Sequence, residues 1–353
     1  MKKQTALGAS LVAGALMLQA CSTSDDNQQN ASDDSNEDQQ TQNEKLDVYT
    51  TLFAWEDFAK QIGGDYVNVE NVVPPGSNAH SFDPTPQTLT DMAEGDMFIM
   101  TGSGMEGFAD EAKSTVNGEN VEVLELTNNM DLLESSAEHD HSHEDDHDHS
   151  HEEEGHDHDH GHDEEEHDHS HGEEGHSHGG VDPHVWLDPV RAQQAAESIK
   201  NELAHQMPEQ EEAFEENYQT LVSDLEDIDQ GFQDVADNSE SNQFIVSHAA
   251  YGYWEERYGF EQIPVSGINA QDEPSVQEIN DIVATAEEND INTVLLEQNI
   301  PSKTAETVQD EIGADVAYLH NLSSVTEEDI ENDATYVSLM EDNIESLEQA
   351  LNQ

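Results

Sequence analysis

The chain has 353 residues, enough for one large or two medium-sized domains, and its formal net charge is −73. With 82 acidic residues against nine basic ones, we expect no nucleic-acid partner, because the phosphate backbone would repel it. A single cysteine rules out an intramolecular disulfide. Self-repulsion this large is relieved by salt, which shortens the screening length to ~3 Å at 1 M. An ordinary solvated acidic surface is one interpretation, a cell surface in surroundings rich in salt or alkali is the other, and we favour salt.

The first 44 residues predict export followed by a tether. Residues 1–20 carry two lysines, then an apolar run, and end in Leu-Gln-Ala directly before Cys21. This resembles the lipobox of bacterial lipoproteins, which implies cleavage before Cys21 and acylation of its thiol. An ordinary secretory signal with an incidental cysteine is the alternative. Residues 21–44 are almost entirely polar and are expected to form a disordered tether. We therefore expect lipid anchoring on the extracytoplasmic face of the cell membrane.

An alternating pattern of strands and helices begins after the tether. We expect strands at 46–51, 66–73, 97–100 and 121–126, and helices at 55–62 and 85–94. Thr85 is the expected N-cap of the second helix, and a Gly-rich turn follows the third strand. Alternation of this kind predicts a parallel sheet with crossover helices. We assign residues 45–137 and 179–206 to an N-terminal α/β lobe.

A histidine-rich tract at residues 138–178 interrupts this lobe. It holds fifteen histidines and eighteen acidic residues but no lysine or arginine, so it cannot bury an apolar core and is expected to be disordered. Neutral imidazole is a common ligand for divalent transition metals, which predicts a loop that collects zinc weakly. A solvated acidic loop with incidental histidines is the alternative. The candidate ligands are His139, His141, His143, His147, His149, His151, His156, His158, His160, His162, His167, His169, His171, His176 and His178.

The second half of the chain predicts one long helix and another alternating series. Apolar residues spaced by three or four follow Pro208, so we assign residues 207–238 to a linking helix. Residues 239–353 then form a C-terminal α/β lobe, with strands expected at 244–247, 261–265, 293–296 and 315–319. Helices are expected at 249–258, 275–288, 302–312 and 334–351. The predicted fold class is α/β, with two mainly parallel sheets flanked by helices and bridged by one long rigid helix.

Five histidines lie outside the tract. His80 follows a strand, His248 ends one, and His184 stands in a turn between two Asp-Pro pairs. Ligands of open parallel sheets bind beyond the carboxyl ends of the strands, so these three are candidate ligands. His205 lies within a helix and is expected to be solvated. The wide spacing of the three candidates leaves open, by itself, whether they share one site.

Three motifs carry a family resemblance. They are residues 78–86 (Asn-Ala-His-Ser-Phe-Asp-Pro-Thr-Pro), 182–189 (Asp-Pro-His-Val-Trp-Leu-Asp-Pro) and 247–254 (Ser-His-Ala-Ala-Tyr-Gly-Tyr-Trp). With the lipobox and the acidic histidine tract, in this order, the chain resembles the zinc-specific solute-binding lipoproteins of ABC transporters over roughly residues 45–353. The resemblance implies two α/β lobes bridged by a rigid helix, with the metal in the cleft between them.

The resemblance also implies the ligands and the partner. His80 and His184 would be ligands from the N-terminal lobe and His248 the ligand from the C-terminal lobe. Manganese-specific relatives tend to carry a carboxylate at the position of His248, and a third imidazole suits Zn²⁺ better. The implied partner is the ABC permease of a zinc-uptake system, and we expect the protein to act as a monomer.

The fourth ligand is the point where the chain departs from its relatives. Many of them have an acidic residue at the position of Ser323, whose neutral hydroxyl is a weak ligand. His320, three residues earlier, is a possible fourth ligand, although a solvated histidine at a strand end is the interpretation we favour. Because zinc prefers four ligands, we expect a bound water in the fourth position.

The sequence therefore predicts a protein that captures Zn²⁺ outside the membrane and delivers it to an ABC permease. A surface zinc buffer or adhesin without a transporter is one alternative. A zinc hydrolase is another, since three histidines and an open position also occur at catalytic zinc sites. None of the three candidate ligands belongs to a His-Glu-x-x-His motif that would pair ligands with a general base, and the one match in the chain, at residues 143–147, lies within the histidine-rich tract. We therefore expect no enzyme activity.

Overall fold

The computed structural model of the protein describes residues 45–134, 180–271 and 274–352. The predicted signal peptide, Cys21, the tether of residues 21–44 and the whole histidine-rich tract of residues 138–178 lie outside these ranges. Within them, no helix combines the length and the apolar composition needed to cross a membrane.

A four-stranded parallel sheet forms the N-terminal lobe. Its strands are β1 (Leu46–Thr50), β2 (Val67–Asn71), β3 (Met97–Met100) and β4 (Glu122–Glu125). They are ordered β2-β1-β3-β4, and all neighbours run parallel. The flanking helices are α1 (Phe53–Gly63), α2 (Pro86–Ala93) and α3 (Ala109–Val116). Thr85 caps α2 as the sequence predicts, because its side chain accepts a hydrogen bond from the amide of Thr88.

Two consecutive helices lead from the N-terminal lobe to the C-terminal lobe. Helix α4 (Pro189–Gln206) begins with Asp188 as N-cap, and α5 (Glu211–Asn238) is the longest helix of the described chain. The sequence assigns residues 207–238 to the linking helix, but residues 208–210 form a 3₁₀ turn, and regular α-helix starts only at Glu211. The buried face of α5 packs against α1, α4 and the last helix α10 (Tyr336–Leu351), so α5 bridges the two lobes.

The C-terminal lobe repeats the architecture of the first. Its strands are β5 (Gln243–His248), β6 (Glu261–Ser266), β7 (Thr293–Glu297) and β8 (Asp315–Leu319), in the parallel order β6-β5-β7-β8. The helices before α10 are α6 (Gly252–Tyr258), α7 (Val276–Glu288), α8 (Lys303–Ile312) and α9 (Glu327–Glu331). Two parallel α/β sheets joined by a long helix confirm the predicted fold class.

Two short helices have no counterpart in the sequence prediction. Helix α3 buries only Ala112 and Val116, a stripe too narrow to stand out in the hydrophobic pattern. Helix α9 buries no residue and is held by a capping box between Thr326 and Asp329. Neither helix presents a broad periodic apolar face, which explains why the pattern does not predict them.

The apolar core is continuous across the two lobes. The indole of Trp186, before α4, lies edge-on to Trp55 of α1, with ring centroids 6.3 Å apart, and donates to the carbonyl of Asn321 at 2.6 Å. Trp254 of α6 donates to the carbonyl of Leu187 at 2.8 Å. Tyr336 donates from its hydroxyl to the carbonyl of Trp186 at 2.6 Å. Fully buried aromatic side chains with satisfied polar groups therefore hold the lobes against each other.

Candidate metal site

The structure places three histidines that are far apart in sequence next to one another. His80 lies in the loop between β2 and α2, His184 in the turn before α4, and His248 at the end of β5. The Nε2 atoms of His80 and His184 are 3.3 Å apart, and the ring of His184 lies 5.3 Å from that of His80 and 5.4 Å from that of His248, measured between centroids. His184 is thus the central member of the group.

The close pair of nitrogens has the spacing of two zinc ligands. Nitrogens bound tetrahedrally to one zinc ion at about 2.0–2.1 Å lie roughly 3.3 Å apart. His80 and His184 match this separation. Within residues 45–134, 180–271 and 274–352, no group of three or more His, Cys, Asp or Glu side chains is already arranged around a common metal position. The described geometry is therefore a close pair with a third imidazole beside it rather than a finished three-ligand cage.

His184 is fixed by the turn that contains it. The Oδ1 atom of Asp182 accepts from the backbone amide of His184 at 2.9 Å and from its Nδ1 at 2.8 Å. Both residues are buried. A Cβ on Gly252 would lie 2.8 Å from Oδ2 of Asp182, so only glycine leaves room for this carboxylate. With Nδ1–H donated to the carboxylate, Nε2 of His184 keeps its lone pair for a metal ion.

His248 has a carboxylate behind it as well, but from another strand. Its Nδ1 lies 2.6 Å from Oε2 of Glu297, the last residue of β7. The other oxygen of Glu297 accepts from the hydroxyl of Tyr251 at 2.9 Å and from Nδ2 of Asn321 at 3.2 Å. All four residues are buried. Nε2 of His248 is therefore also the nitrogen that is free to accept a metal ion.

His80 is held differently. It is half-buried and lies in its loop after two prolines and a glycine. Its backbone amide donates to Oδ1 of Asn78 at 2.9 Å. Among the described residues, no carboxylate pairs with its ring. Burial, followed by the proximity of His184 and His248, lowers the pKa of His80 well below its ordinary value. The imidazole of His80 is therefore neutral at neutral pH, and the neutral form is the one that binds metal.

The remaining candidate residues lie elsewhere in the C-terminal lobe or at the surface. His320 is buried rather than solvated, which corrects the interpretation we favoured from the sequence. Its Nδ1 accepts from the amide of Leu322 at 3.0 Å, and its Nε2 is 3.3 Å from the carboxylate of Asp329. That contact, more than any other, holds the pKa of Asp329 well below its usual range. The hydroxyl of Ser323 donates to Asn321 at 2.8 Å.

His205 follows the expectation of a solvated residue, since 80% of its side chain is exposed. It lies 3.4 Å from the carboxylate of Glu202, one turn earlier on α4. His205 has no contact with His80, His184 or His248.

Four of the described residues around the site are absent from the sequence prediction. Asp182 could have been found, because it precedes His184 by two residues in an Asp-Pro-His turn, where short side chains bond to the local backbone. Glu297 offers a weaker signal, an acidic residue ending an otherwise apolar strand. Its role depends on β5 and β7 being neighbours, and the order of strands in the sheet cannot be read from local patterns. The roles of Tyr251 and Asn321 rest on their hydrogen bonds to Glu297, so they depend on the same strand order.

The described residues on either side of the histidine-rich tract meet close to His184. Glu134 and Val181 form an isolated antiparallel bridge, and the amide of Asp182 donates to the carbonyl of Leu133 at 2.8 Å. The hydroxyl of Tyr253 donates to the carbonyl of Asp182 at 2.7 Å. Glu134 and Val181 therefore lie side by side, and Val181 is three residues from the candidate ligand His184.

Two α/β lobes joined by a long helix, with imidazoles from both lobes side by side, define a two-lobed binding protein. The chain belongs to the family described as zinc-uptake complex component A, periplasmic, whose sequence profile matches residues 48–350. This confirms the family resemblance that the three motifs carry.

Individual relatives agree with this assignment. The chain is 31% identical over 357 residues to the zinc-binding lipoprotein AdcA of Streptococcus pneumoniae strain R6, spanning all of this chain but only 62% of that relative. It is 30% identical to the high-affinity zinc uptake system protein ZnuA of Bacillus subtilis strain 168, covering 87% of this chain and 88% of that protein. The crystal structure of the Zn(II)-bound ZnuA-like domain of pneumococcal AdcA is similar with a TM-score of 0.67 and 26% identity, over 88% of this chain and 100% of that one.

Proposed function

We propose that this protein captures Zn²⁺ outside the membrane and delivers it to an ABC-type permease. The observation that carries the proposal is the meeting of His80, His184 and His248, with two nitrogens at the separation of zinc ligands. The relatives named above are zinc-binding lipoproteins and zinc-uptake components, which supports the same cargo. Zinc is cargo here, so it must be bound tightly and released again.

The proposed ligands are Nε2 of the three histidines and one water. Imidazole suits zinc, whereas manganese prefers carboxylate and carbonyl oxygen. The carboxylates of Asp182 and Glu297 lie on the far side of their imidazoles, hydrogen-bonded to Nδ1. They are therefore placed to orient ligands rather than to bind the metal directly. Neither His320 nor Ser323 has a contact that directs its side chain at the group, which favours water as the fourth ligand.

The histidine-rich tract is proposed as a weak collector beside the tight site. Glu134 and Val181, which flank the tract, pair with each other in an isolated bridge, so the two flanks lie side by side. Val181 is three residues from His184, so the tract is connected to the chain beside the tight site. Each capture by a flexible segment loses conformational entropy, which keeps the tract sites weaker than the ordered one.

Lipid anchoring at Cys21 and a permease partner complete the proposal. The pneumococcal relative AdcA is named a lipoprotein, and the family is described as a periplasmic zinc-uptake component. Both descriptions support an extracytoplasmic location on the membrane. We propose a monomer, which presents one metal site to one permease. A Cys21→Ser variant expressed in its host should lose association with the membrane fraction while keeping its zinc affinity.

Binding, rather than catalysis, is the activity the geometry favours. A zinc hydrolase needs a carboxylate or imidazole placed to activate the metal-bound water. The two carboxylates nearest the histidines, Asp182 and Glu297, are buried and already occupied by hydrogen bonds to ligands and neighbours. We therefore propose that the protein is not an enzyme.

The test is a zinc titration of the full-length protein against a competing chelator. At chelator concentrations that strip the tract, one zinc per chain should remain bound, and His184→Ala should abolish that tight stoichiometric step. Absence of a tight step in the wild-type protein would refute zinc capture at this site. Turnover of ester or peptide substrates by the zinc-loaded protein would favour a hydrolase. Zinc uptake that persists in cells without this protein's permease would favour a surface buffer or adhesin.

A further inference from the structure

Glu297 and His248 are neighbours because of the register of two parallel strands. Ile245 pairs with Val294, and Val246 pairs with Leu295, across β5 and β7. Two residues further along each strand, this register brings His248 beside Glu297 on the same face of the sheet. The contact is therefore fixed by two buried strands rather than by a loop.

The carboxylate of Glu297 is buried with three donors around it. Its side chain is fully inaccessible to solvent, and it accepts from His248, Tyr251 and Asn321 at 2.6, 2.9 and 3.2 Å. Among the described residues, no lysine or arginine contacts it. Burial and the charge of Glu297 raise the pKa of Tyr251 well above its ordinary value, so the tyrosine remains an O–H donor. A buried carboxylate without a basic partner is costly unless a positive charge is nearby.

We propose that Glu297 is a positioning residue for metal binding, which holds His248 in the tautomer protonated at Nδ1 and so reserves Nε2 for Zn²⁺. The proposal rests on the function proposed above. A carboxylate can only accept hydrogen bonds, so the proton shared with it must be carried on Nδ1. The cation that then binds at Nε2 lies across the imidazole from Glu297 and offsets its buried charge.

Substitution of Glu297 by glutamine should reverse the tautomer of His248 without changing the shape of the side chain that contacts it. The amide oxygen of Gln can keep the bonds from Tyr251 and Asn321, which leaves its NH₂ group facing Nδ1 of His248. Because NH₂ can only donate, Nδ1 must then accept, and the ring proton moves to Nε2. The nitrogen that should bind zinc is then protonated, and that proton must be removed before the metal can enter.

Glu106 provides a matched control for this substitution. It is also a buried glutamate in a parallel-sheet lobe, and it accepts from the hydroxyl of Thr51 at 2.6 Å and from the amides of Thr101 and Gly102 at 2.8 and 3.0 Å. None of these donors is a histidine. Glu106→Gln therefore removes a comparable buried charge without acting on a ligand.

The experiment compares full-length wild-type protein with Glu297→Gln and Glu106→Gln. We expect Glu297→Gln to weaken the tight zinc step by about 10- to 100-fold in chelator competition, and Glu106→Gln to change it by less than about threefold. ¹⁵N-histidine NMR of the metal-free proteins should show His248 protonated at Nδ1 in wild type and at Nε2 in Glu297→Gln. The His248 signal is identified by its loss in His248→Asn.

Glu297→Asp keeps the proposal testable if the glutamine variant does not fold. It retains an anionic acceptor, so His248 should stay protonated at Nδ1 and zinc affinity should lie between those of wild type and Glu297→Gln. Unchanged affinity with Nδ1–H in folded Glu297→Gln would overturn the proposal, as would an Nε2–H tautomer in Glu297→Asp. A wild-type protein without a tight zinc step would instead refute the function on which the proposal rests, so the two failures are distinguishable.

Discussion

The imidazoles of His184 and His248 are held in a different way from that of His80. The first two are buried, and each has a carboxylate hydrogen-bonded to Nδ1, from Asp182 and Glu297 respectively. His80 is half-buried in the loop between β2 and α2, and no carboxylate fixes its ring among the described residues. The candidate site thus has a rigid side and a side that is oriented only by its own loop.

This difference bears on how binding energy is divided among the ligands. A ring that is already fixed in the correct tautomer and orientation loses little freedom when metal binds, so most of its bond energy appears as affinity. A ring on a loop must be ordered first, and the entropy of ordering is subtracted from what its bond contributes. We therefore expect the three histidines to be unequal ligands.

The largest effect should come from His184→Ala. His184 is the central ring of the group, 3.3 Å from His80 through its Nε2 and 5.4 Å from His248 between centroids. Its loss should weaken tight zinc binding by about a thousandfold, or ~4 kcal/mol. The measurement is chelator competition on full-length protein, with circular dichroism as a check on folding. A correctly folded variant with wild-type affinity would remove His184 from the site.

A smaller loss should follow from His80→Ala, which sharpens the comparison directly. Water can replace an imidazole that was poorly fixed, so we expect about a 10- to 100-fold loss, or ~1.4–2.8 kcal/mol. His248→Ala, on the rigid side, should cost more than His80→Ala in the same titration. Equal losses for the two variants would show that the loop holds His80 as firmly as Glu297 holds His248.

The pH dependence of stability should also separate His80 from ordinary histidines. Its pKa in the folded protein lies well below the ordinary value of ~6.5, so the unfolded chain binds a proton at a higher pH than the folded one. Where the unfolded state binds more protons, stability rises with pH. Metal-free protein should therefore lose stability as pH falls below ~6.5, and His80→Asn should lose less. Melting temperatures of both proteins between pH 7.5 and 5.5 test this expectation.

Sequence reasoning was most successful where one local pattern determines the structure. The strands Met97–Met100 and Asp315–Leu319 have the predicted bounds, and Thr85 caps α2 as expected. The alternation of strands and helices predicted the two parallel sheets, because strands joined by crossover helices can be arranged in only a few chain topologies. Helices α3 and α9 were missed because neither buries a broad periodic apolar face.

The candidate site was predicted only in part. His80, His184 and His248 could be chosen from strand ends and motifs, but their meeting depends on contacts between residues 64 and 104 positions apart. Glu297 reaches His248 only because β5 and β7 are adjacent in the sheet. His320 looked like a solvated strand-end residue, since no local signal shows that α9 and α10 cover it. Tertiary neighbours of this kind are what a single sequence leaves undetermined.

His320→Ala should have the smallest effect on zinc binding, and it tests whether a fourth histidine belongs to the site. The ring of His320 is buried within the C-terminal lobe, where Nδ1 accepts from the amide of Leu322 and Nε2 lies 3.3 Å from the carboxylate of Asp329. Affinity should therefore change by less than about tenfold, or ~1.4 kcal/mol. Stability should suffer instead, by about 1–3 kcal/mol, because the Leu322 amide is left buried without its acceptor. Chemical denaturation of metal-free protein measures the second effect and chelator competition the first. An affinity loss as large as that of His184→Ala, with stability unchanged, would make His320 the fourth ligand in place of water.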